Sequence, residues 1–305
     1  MTGVNGDNKF RKCRHNDRLR GILNMSFEDY HVHCEFSDDS DYPMEQVVLD
    51  AVDMGMNEIC FTDHVDYGVK DDWDTREIHC NKRTGKPVEK NVNYPLYFEK
   101  LNEMQEKYRD QIIIRKGLEM GMQVHTVPDF MKLYQSYKDQ LDFVILSCHQ
   151  VDDMEFWTGE YQEGKTAIEC TRRYYEEILR VISLYKNYSV LGHLDMIIRY
   201  DQGEHVPFDE VKDLIAAILR RVITDGKGIE LNTINVRYQI GDLTPSRDIL
   251  RLYYDLGGRI ITIGSDSHKP DHLGFGIEEQ KEELRKIGFK HYHTFENMKP
   301  IEHEL

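Results

Sequence analysis

His31 and His33 stand in the run DYHVHCEFSDDS, two residues apart in a strand-like stretch. Side-chain direction in a strand repeats every two residues, so both imidazoles face the same way. The same spacing recurs far along the chain in Asp266 and His268, which close RIITIGSDSH. Between these pairs, His64 closes EICFTDH, Glu119 closes IIIRKGLE, His149 closes FVILSCH and His193 closes SVLGH. Asp39, in the SDDSD run, lies a short loop beyond the His-x-His pair and can swing a carboxylate toward it, whereas Asp38 and Asp41 read as solvated turn residues. Imidazole nitrogens and carboxylate oxygens are borderline and hard ligands. Gathered together they suit divalent cations such as Zn, Mn or Fe. An ordinary structural role would have to be invoked separately for every one of these residues, so the joint pattern favours one metal site.

Gathering them is the task of the surrounding elements. Strand-like runs cover Glu28–His33, Glu58–Thr62, Ile112–Leu118, Asp142–Ser147, Ser189–Gly192, Gly228–Leu231 and Arg259–Gly264. Amphipathic helical patterns alternate with them: PMEQVVLDAVDMG, YPLYFEKLNEMQEKY, PDFMKLYQSYKDQ, IECTRRYYEEILRVISLY, PFDEVKDLIAAILRRVI, SRDILRLYYDLG and IEEQKEELRKIG. A short strand candidate, HYHTF, follows. Strands alternating with helices predict a parallel sheet, closed or nearly so. A doubly wound open sheet would place ligands near one switch point. Candidate ligands after nearly every strand favour a single-domain α/β barrel, where strand ends converge on one mouth. Two long loops, from Val65 to about Asn93 and from Val151 to Lys165, follow strands on that side and could shape the site. Trp157 and Tyr161 in the second are candidate substrate contacts whose alternative role is loop packing.

Arg199 in GHLDMIIRY and Arg237 in ELNTINVRY follow strand ends, where guanidinium forks could grip phosphate oxygens. Asn232 could orient a water or satisfy backbone groups. Of the remaining histidines, His205 lies in a loop on the ligand side; the rest read as structural or solvent-facing. The chain has no G-x-S-x-G elbow, Walker A loop or G-x-G-x-x-G fingerprint.

The 305 residues carry a formal net charge of -16, which argues against general binding of nucleic acid or anionic membranes. An anionic substrate would need that field reversed locally, as bound cations would do. With 40% hydrophobic and 31% charged residues a soluble globular protein is expected. No run is long and apolar enough to span a bilayer, no secretory pattern opens the chain, and the six cysteines form no C-x-x-C pair. A reducing cytoplasm is the expected setting. Residues 1–26 read as an N-terminal extension, 27–296 as the barrel and 297–305 as a C-terminal tail.

DYHVHCEFSDDS, FTDH, GLE, SCHQV, GHLD and SDSH, in that order, resemble the motifs of the polymerase and histidinol phosphatase (PHP) superfamily. The resemblance runs from about Phe27 to Gly276. SCHQV, GHLDMIIRY and ELNT-x-x-x-R are most similar to the histidinol-phosphatase branch. It implies a distorted (β/α)7 TIM-like barrel holding two or three divalent ions. By resemblance, His31, His33, Glu119 and Asp266 hold one ion. Glu119 bridges to a second, shared with His149 and His193, and Asp39, His64 and His268 hold a third. Many relatives have histidine where this chain has Asp39. The implied chemistry is phosphomonoester hydrolysis, with L-histidinol phosphate of histidine biosynthesis as substrate. Asp266 and His268 are the catalytic candidates, His268 or a water being the proton donor, and Arg199 and Arg237 would hold the phosphate. A family member acting on a nucleotide or another small phosphate ester is the rival reading, and a non-catalytic metal-binding module a third.

Overall fold

The computed structural model describes residues 27–81, 85–200, 206–238 and 241–305; the expected N-terminal extension and His205 lie outside them. The apolar runs form β1 (Glu28–Val32), β2 (Glu58–Phe61), β3 (His64–Val65), β4 (Ile113–Gly121), β5 (Phe143–Ser147), β6 (Gln150–Val151), β7 (Met154–Glu155), β8 (Val190–Leu191), β9 (Gly228–Asn232) and β10 (Ile261–Gly264). Seven of these lie side by side in the order β1-β2-β4-β5-β8-β9-β10, with β3 added against β4, and every neighbouring pair is parallel. β1, β2, β5, β8, β9 and β10 are buried at every residue, as parallel strands covered on both faces must be.

The outer layer comprises α1 (Met44–Met54), α2 (Tyr94–Tyr108), α3 (Val127–Tyr137), α4 (Ala167–Leu184), α5 (Phe208–Thr224), α6 (Ile234–Tyr238), α7 (Arg247–Asp255) and α8 (Ile277–Ile287). Their starts are set by local chemistry. The Asn93 side chain accepts from Leu96 N–H, with Pro95 in the first turn of α2. Thr166 and Glu169 form a reciprocal capping box on α4. The Ser246 hydroxyl accepts from Ile249 N–H at α7.

The sheet closes at its C-terminal end. Val32 bridges to Ser267 in parallel register; His33 N–H donates to Ser267 O (2.8 Å) and Ser267 N–H to His31 O (3.2 Å). Ser265 N–H donates to the buried Asp29 carboxylate (2.8 Å). The architecture is therefore a distorted seven-stranded barrel, and the open-sheet alternative is set aside.

The opposite end is plugged. HYHTF lies in β11 (His291–Glu296), and the expected tail supplies β12 (Lys299–Glu304), its antiparallel partner. Phe295 packs against Phe143 (5.1 Å between ring centres), and its N–H donates to the Tyr30 hydroxyl (2.8 Å). Met298 N–H donates to Asp142 O (2.8 Å), just before β5. These apolar and polar contacts explain why the last residues are ordered against the barrel floor.

Two boundaries differ from the sequence expectation. His64 opens β3 and does not end β2, and β4 continues past Leu118 to Gly121. The cause is shared: β3 offers His64 and Val65 as partners to Glu119 and Met120, while β5 pairs onward through Gly121 and Ser147. Cross-strand pairing of this kind has no local signal. The loop after His149 begins with the hairpin β6–β7, also unanticipated.

Candidate metal centre

The barrel mouth gathers every ligand candidate around one carboxylate. Glu119 is fully buried on β4, where two further residues of strand lie beyond it. Its Oε1 lies 3.1 Å from His149 Nε2 and 2.8 Å from His193 Nε2. Its Oε2 lies 3.2 Å from His31 Nε2, 3.5 Å from His33 Nε2 and 3.0 Å from His64 Nδ1. Asp266 Oδ1 stands 3.7 Å from His31 Nε2 and 3.5 Å from His33 Nε2. On the outer side, Asp39 Oδ2 lies 3.1 Å from His268 Nε2 and 3.6 Å from His64 Nε2.

Two carboxylates that sequence reasoning missed stand behind the imidazoles. Glu230, fully buried on β9, lies 2.5 Å from His31 Nδ1 and accepts from His193 N–H (2.9 Å). Asp66 lies 2.8 Å from His149 Nδ1 and pairs with Lys70 (2.9 Å), which also reaches Asp38 (2.5 Å). Asp38 is thus tied into the site and is more than the solvated turn residue expected. Backing carboxylates orient ligand imidazoles and strengthen them as donors. A faint signal existed for both: Glu230 is a charge inside the apolar run GIELN, and Asp66 repeats the two-residue spacing after His64.

The electrostatics follow from crowding. Burial opposes the charged form of His31, yet Glu230, Glu119 and Asp266 override it and hold the ring well above its ordinary value. The same contest, with Glu119 and Asp66, lifts His149 to about 9. His33 goes the other way, because burial is joined by repulsion from His268, His64 and His31. Burial would raise Glu119, but His31, His149 and His64 hold it far below the usual carboxylate range. Asp66 is likewise depressed against burial, by Lys70 and His149.

The arginines are placed differently from one another. Arg237, on α6, donates to Ser265 O (2.7 Å) and Asp266 O (2.9 Å), clamping the turn in which Asp266 has a left-handed φ of 55°. Arg199 lies in the 3-10 turn Met196–Tyr200, its guanidinium 5.5 Å from the Tyr200 ring centre. Asn232 donates to Glu230 and Asp266 (3.3 Å each) and accepts from Ile234 N–H (2.9 Å), so it braces the acids and starts α6. Tyr161 is buried with its hydroxyl on Cys170 O (2.6 Å), which assigns it to packing, while Trp157 is exposed.

The residues fit divalent cations on structural grounds. The buried Nε2 of His31, His33 and His268, Nδ1 of His64 and Oε2 of Glu119 make no hydrogen bond, although they converge. Buried donors and acceptors are normally satisfied, and a shared cation would satisfy these together. Four overlapping groups of potential ligand atoms lie within 4.8 Å of one another: His31/His33/Asp266, His31/Glu119/His193, His33/His64/His268 and His64/Asp66/His149. The backbone has been kept thin to allow it. A Cβ on Gly264 would lie 2.3 Å from His31 Cβ, and one on Gly121 1.8 Å from Asp66 Oδ1.

Comparison with known proteins agrees with this geometry. The PHP domain family profile matches residues 29–234. The chain is 31% identical to the histidinol-phosphatase of Lactococcus lactis over 89% of this chain and 95% of that one. It is 30% identical to a probable histidinol-phosphatase of Thermotoga maritima, over 86% and 93%. The crystal structure of the Lactococcus lactis histidinol phosphate phosphatase, complexed with Zn, L-histidinol and phosphate, superposes with a TM-score of 0.78, covering 90% of this chain and 99% of that one. With its ligand candidates gathered at one barrel mouth and its length spanned by these relatives, the chain belongs to the PHP domain family.

Proposed function

We infer that this chain is a metal-dependent phosphomonoester hydrolase that converts L-histidinol phosphate to L-histidinol and phosphate. The observation that carries this is the convergence of buried, unsatisfied imidazole and carboxylate atoms on Glu119. It is supported by likeness, over almost the whole chain, to a protein solved with Zn, L-histidinol and phosphate.

In this reading two or three divalent ions, Zn, Mn or Fe, occupy the mouth. His31, His33, Glu119 and Asp266 would hold one; Glu119, His149 and His193 a second; Asp39, His64 and His268 a third. Such ions acidify water and neutralise phosphoryl charge. The chain's own residues do the rest. Glu230 and Asp66 fix the rings of His31 and His149, so that Nε2 of each points into the mouth. Arg237 holds the Asp266 turn in place and, with Arg199, offers positive charge to phosphate oxygens against an acidic chain. With the third site filled, a water held there would pass a proton to the departing alkoxide; with it empty, His268, 21% exposed at its side chain beside Asp39, would do so.

The net charge of -16 suits a small metabolite better than long nucleic acid. No described helix is long and apolar enough to cross a membrane. The thiol side chains of Cys34, Cys60, Cys80 and Cys148 support a cytoplasmic setting.

The test is phosphate release from L-histidinol phosphate by protein loaded in turn with Zn, Mn and Fe, alongside a count of bound metal. Two or three ions per chain and turnover are expected. No release with any metal sinks the substrate assignment, and one enclosed ion without turnover points to a binding module.

A further inference from the structure

The hairpin β6–β7 begins one residue after His149 and turns back beside it, with Gln150 opposite Glu155. Its tip is clamped. Asp153 N–H donates to Gln123 Oε1 (2.8 Å), and Asp153 Oδ1 accepts from Gln123 Nε2 (2.9 Å) and lies 2.9 Å from His125 Nε2. Its exit is clamped as well: Phe156 is buried against Tyr161, Tyr174 and Tyr200, with ring centres 4.9, 5.6 and 6.2 Å away. The two residues flanking Phe156 behave oppositely. Trp157 is 69% exposed, a large aromatic surface with no packing reason to be outside. Glu155 is half-buried and faces Gln150, the neighbour of His149, across the hairpin, and the N–H of Phe156, which lies between Glu155 and Trp157, donates to His149 O (3.4 Å). That backbone bond holds Glu155 and Trp157 beside His149, at the edge of the metal centre, where the charges of Asp66, Lys70 and Asp38 also reach Glu155.

We propose that Glu155 and Trp157 form the subsite for the imidazole end of the substrate, the ring stacking on the indole and donating an N–H to the carboxylate. This rests on the reading of L-histidinol phosphate as substrate. The rim there carries the carboxylates of Asp38 and Glu155, with the buried Asp66 behind them, against the one ammonium of Lys70. Such a surface repels a phosphate and attracts a cationic or N–H-bearing ring, so it would orient the substrate phosphate-first. A carboxylate held against an indole is complementary to an imidazole, which titrates near neutrality and is itself aromatic. The clamped hairpin makes the pair pre-organised and reduces the ordering cost of binding.

The test compares L-histidinol phosphate with ethanolamine phosphate, which keeps an aminoalkyl phosphate and lacks the ring, in metal-loaded protein. Glu155→Gln and Trp157→Ala should each lower the ratio of kcat/KM for the two substrates by roughly 10- to 100-fold, mainly through KM. Calorimetry should show L-histidinol binding weakened by a similar factor, and Trp157→Phe should retain most of the preference. An unchanged ratio, or equal losses on both substrates, overturns the subsite while leaving the substrate assignment standing. If the unaltered protein cleaves ethanolamine phosphate and leaves L-histidinol phosphate intact, the assignment and the subsite fall together.

Discussion

His31 could turn either ring nitrogen toward the barrel mouth; Glu230, 2.5 Å from Nδ1, settles the choice in favour of Nε2. The same carboxylate accepts from His193 N–H, so one side chain on β9 positions two candidate ligands, one on β1 and one just past β8. Glu230→Gln keeps the shape and removes the charge. It should weaken metal binding about 10- to 100-fold, read by competition with a chromophoric chelator. Affinity equal to that of the unaltered protein would show that His31 needs no such partner. A second residue-scale expectation concerns His272, which burial, Arg237 and Lys269 push down to about 4. The folded chain then resists protonation that the unfolded chain accepts near 6.5. Its contribution to stability is intact above 6.5 and lost as the pH falls from there toward about 4. Replacing His272 with Gln should flatten the fall in urea midpoint across that window, and parallel curves for both proteins would refute the placement.

At the scale of elements, strands and candidate ligands were largely legible together. An apolar run ending in histidine or acid names both a strand and its functional end, and His31, His149, His193 and Asp266 were all found this way. What was not legible depends on register. Glu230 matters because β9 lies between β8 and β10, bringing it to His193 and across the mouth to His31, and nothing near position 230 states that neighbourhood. β3 exists because β4 offers it a partner. The thin points of the sheet make the dependence testable. Gly121→Ala would drive a methyl group into Asp66 and to 2.7 Å from His149 Nδ1. Overpacking of this kind costs about 1–3 kcal/mol. Thermal unfolding should register that loss, and metal analysis should find less than the full complement, because the Asp66–His149 pair is what the methyl displaces. A variant with full metal content and unchanged melting would mean the strand shifts freely.

Across the whole molecule, the two ends of the barrel have divided tasks. The floor is sealed by β11–β12, where Phe295 meets Tyr30 and Phe143. Phe295→Ala should cost about 3–5 kcal/mol, as for other buried aromatic truncations. Because the floor is remote from the ligands, turnover of the remaining folded protein should persist; equilibrium denaturation and single-point assays together would expose any coupling. The mouth concentrates polar groups whose satisfaction requires cations. Saturating metal at about 1,000 times its Kd should add roughly 4 kcal/mol to stability. Chelation should therefore lower Tm by several degrees or more, and a melting temperature indifferent to chelator would contradict the metal reading. The expected 297–305 tail was misjudged at this scale, since its role comes from the distant β1 and β5 and its own sequence carries only a short alternating pattern.

The closing seam between β1 and the Ser265–Ser267 turn has a consequence for biogenesis. His31 and His33 emerge from the ribosome early, whereas Asp266 and His268 emerge some 230 residues later by their numbering. A nascent chain stalled before β10 holds only part of the coordinating set and has no shut rim to present it. The full set of candidate ligands therefore comes together only in a chain that extends past His268, and a shorter one is left without the fastening that locks the finished ring.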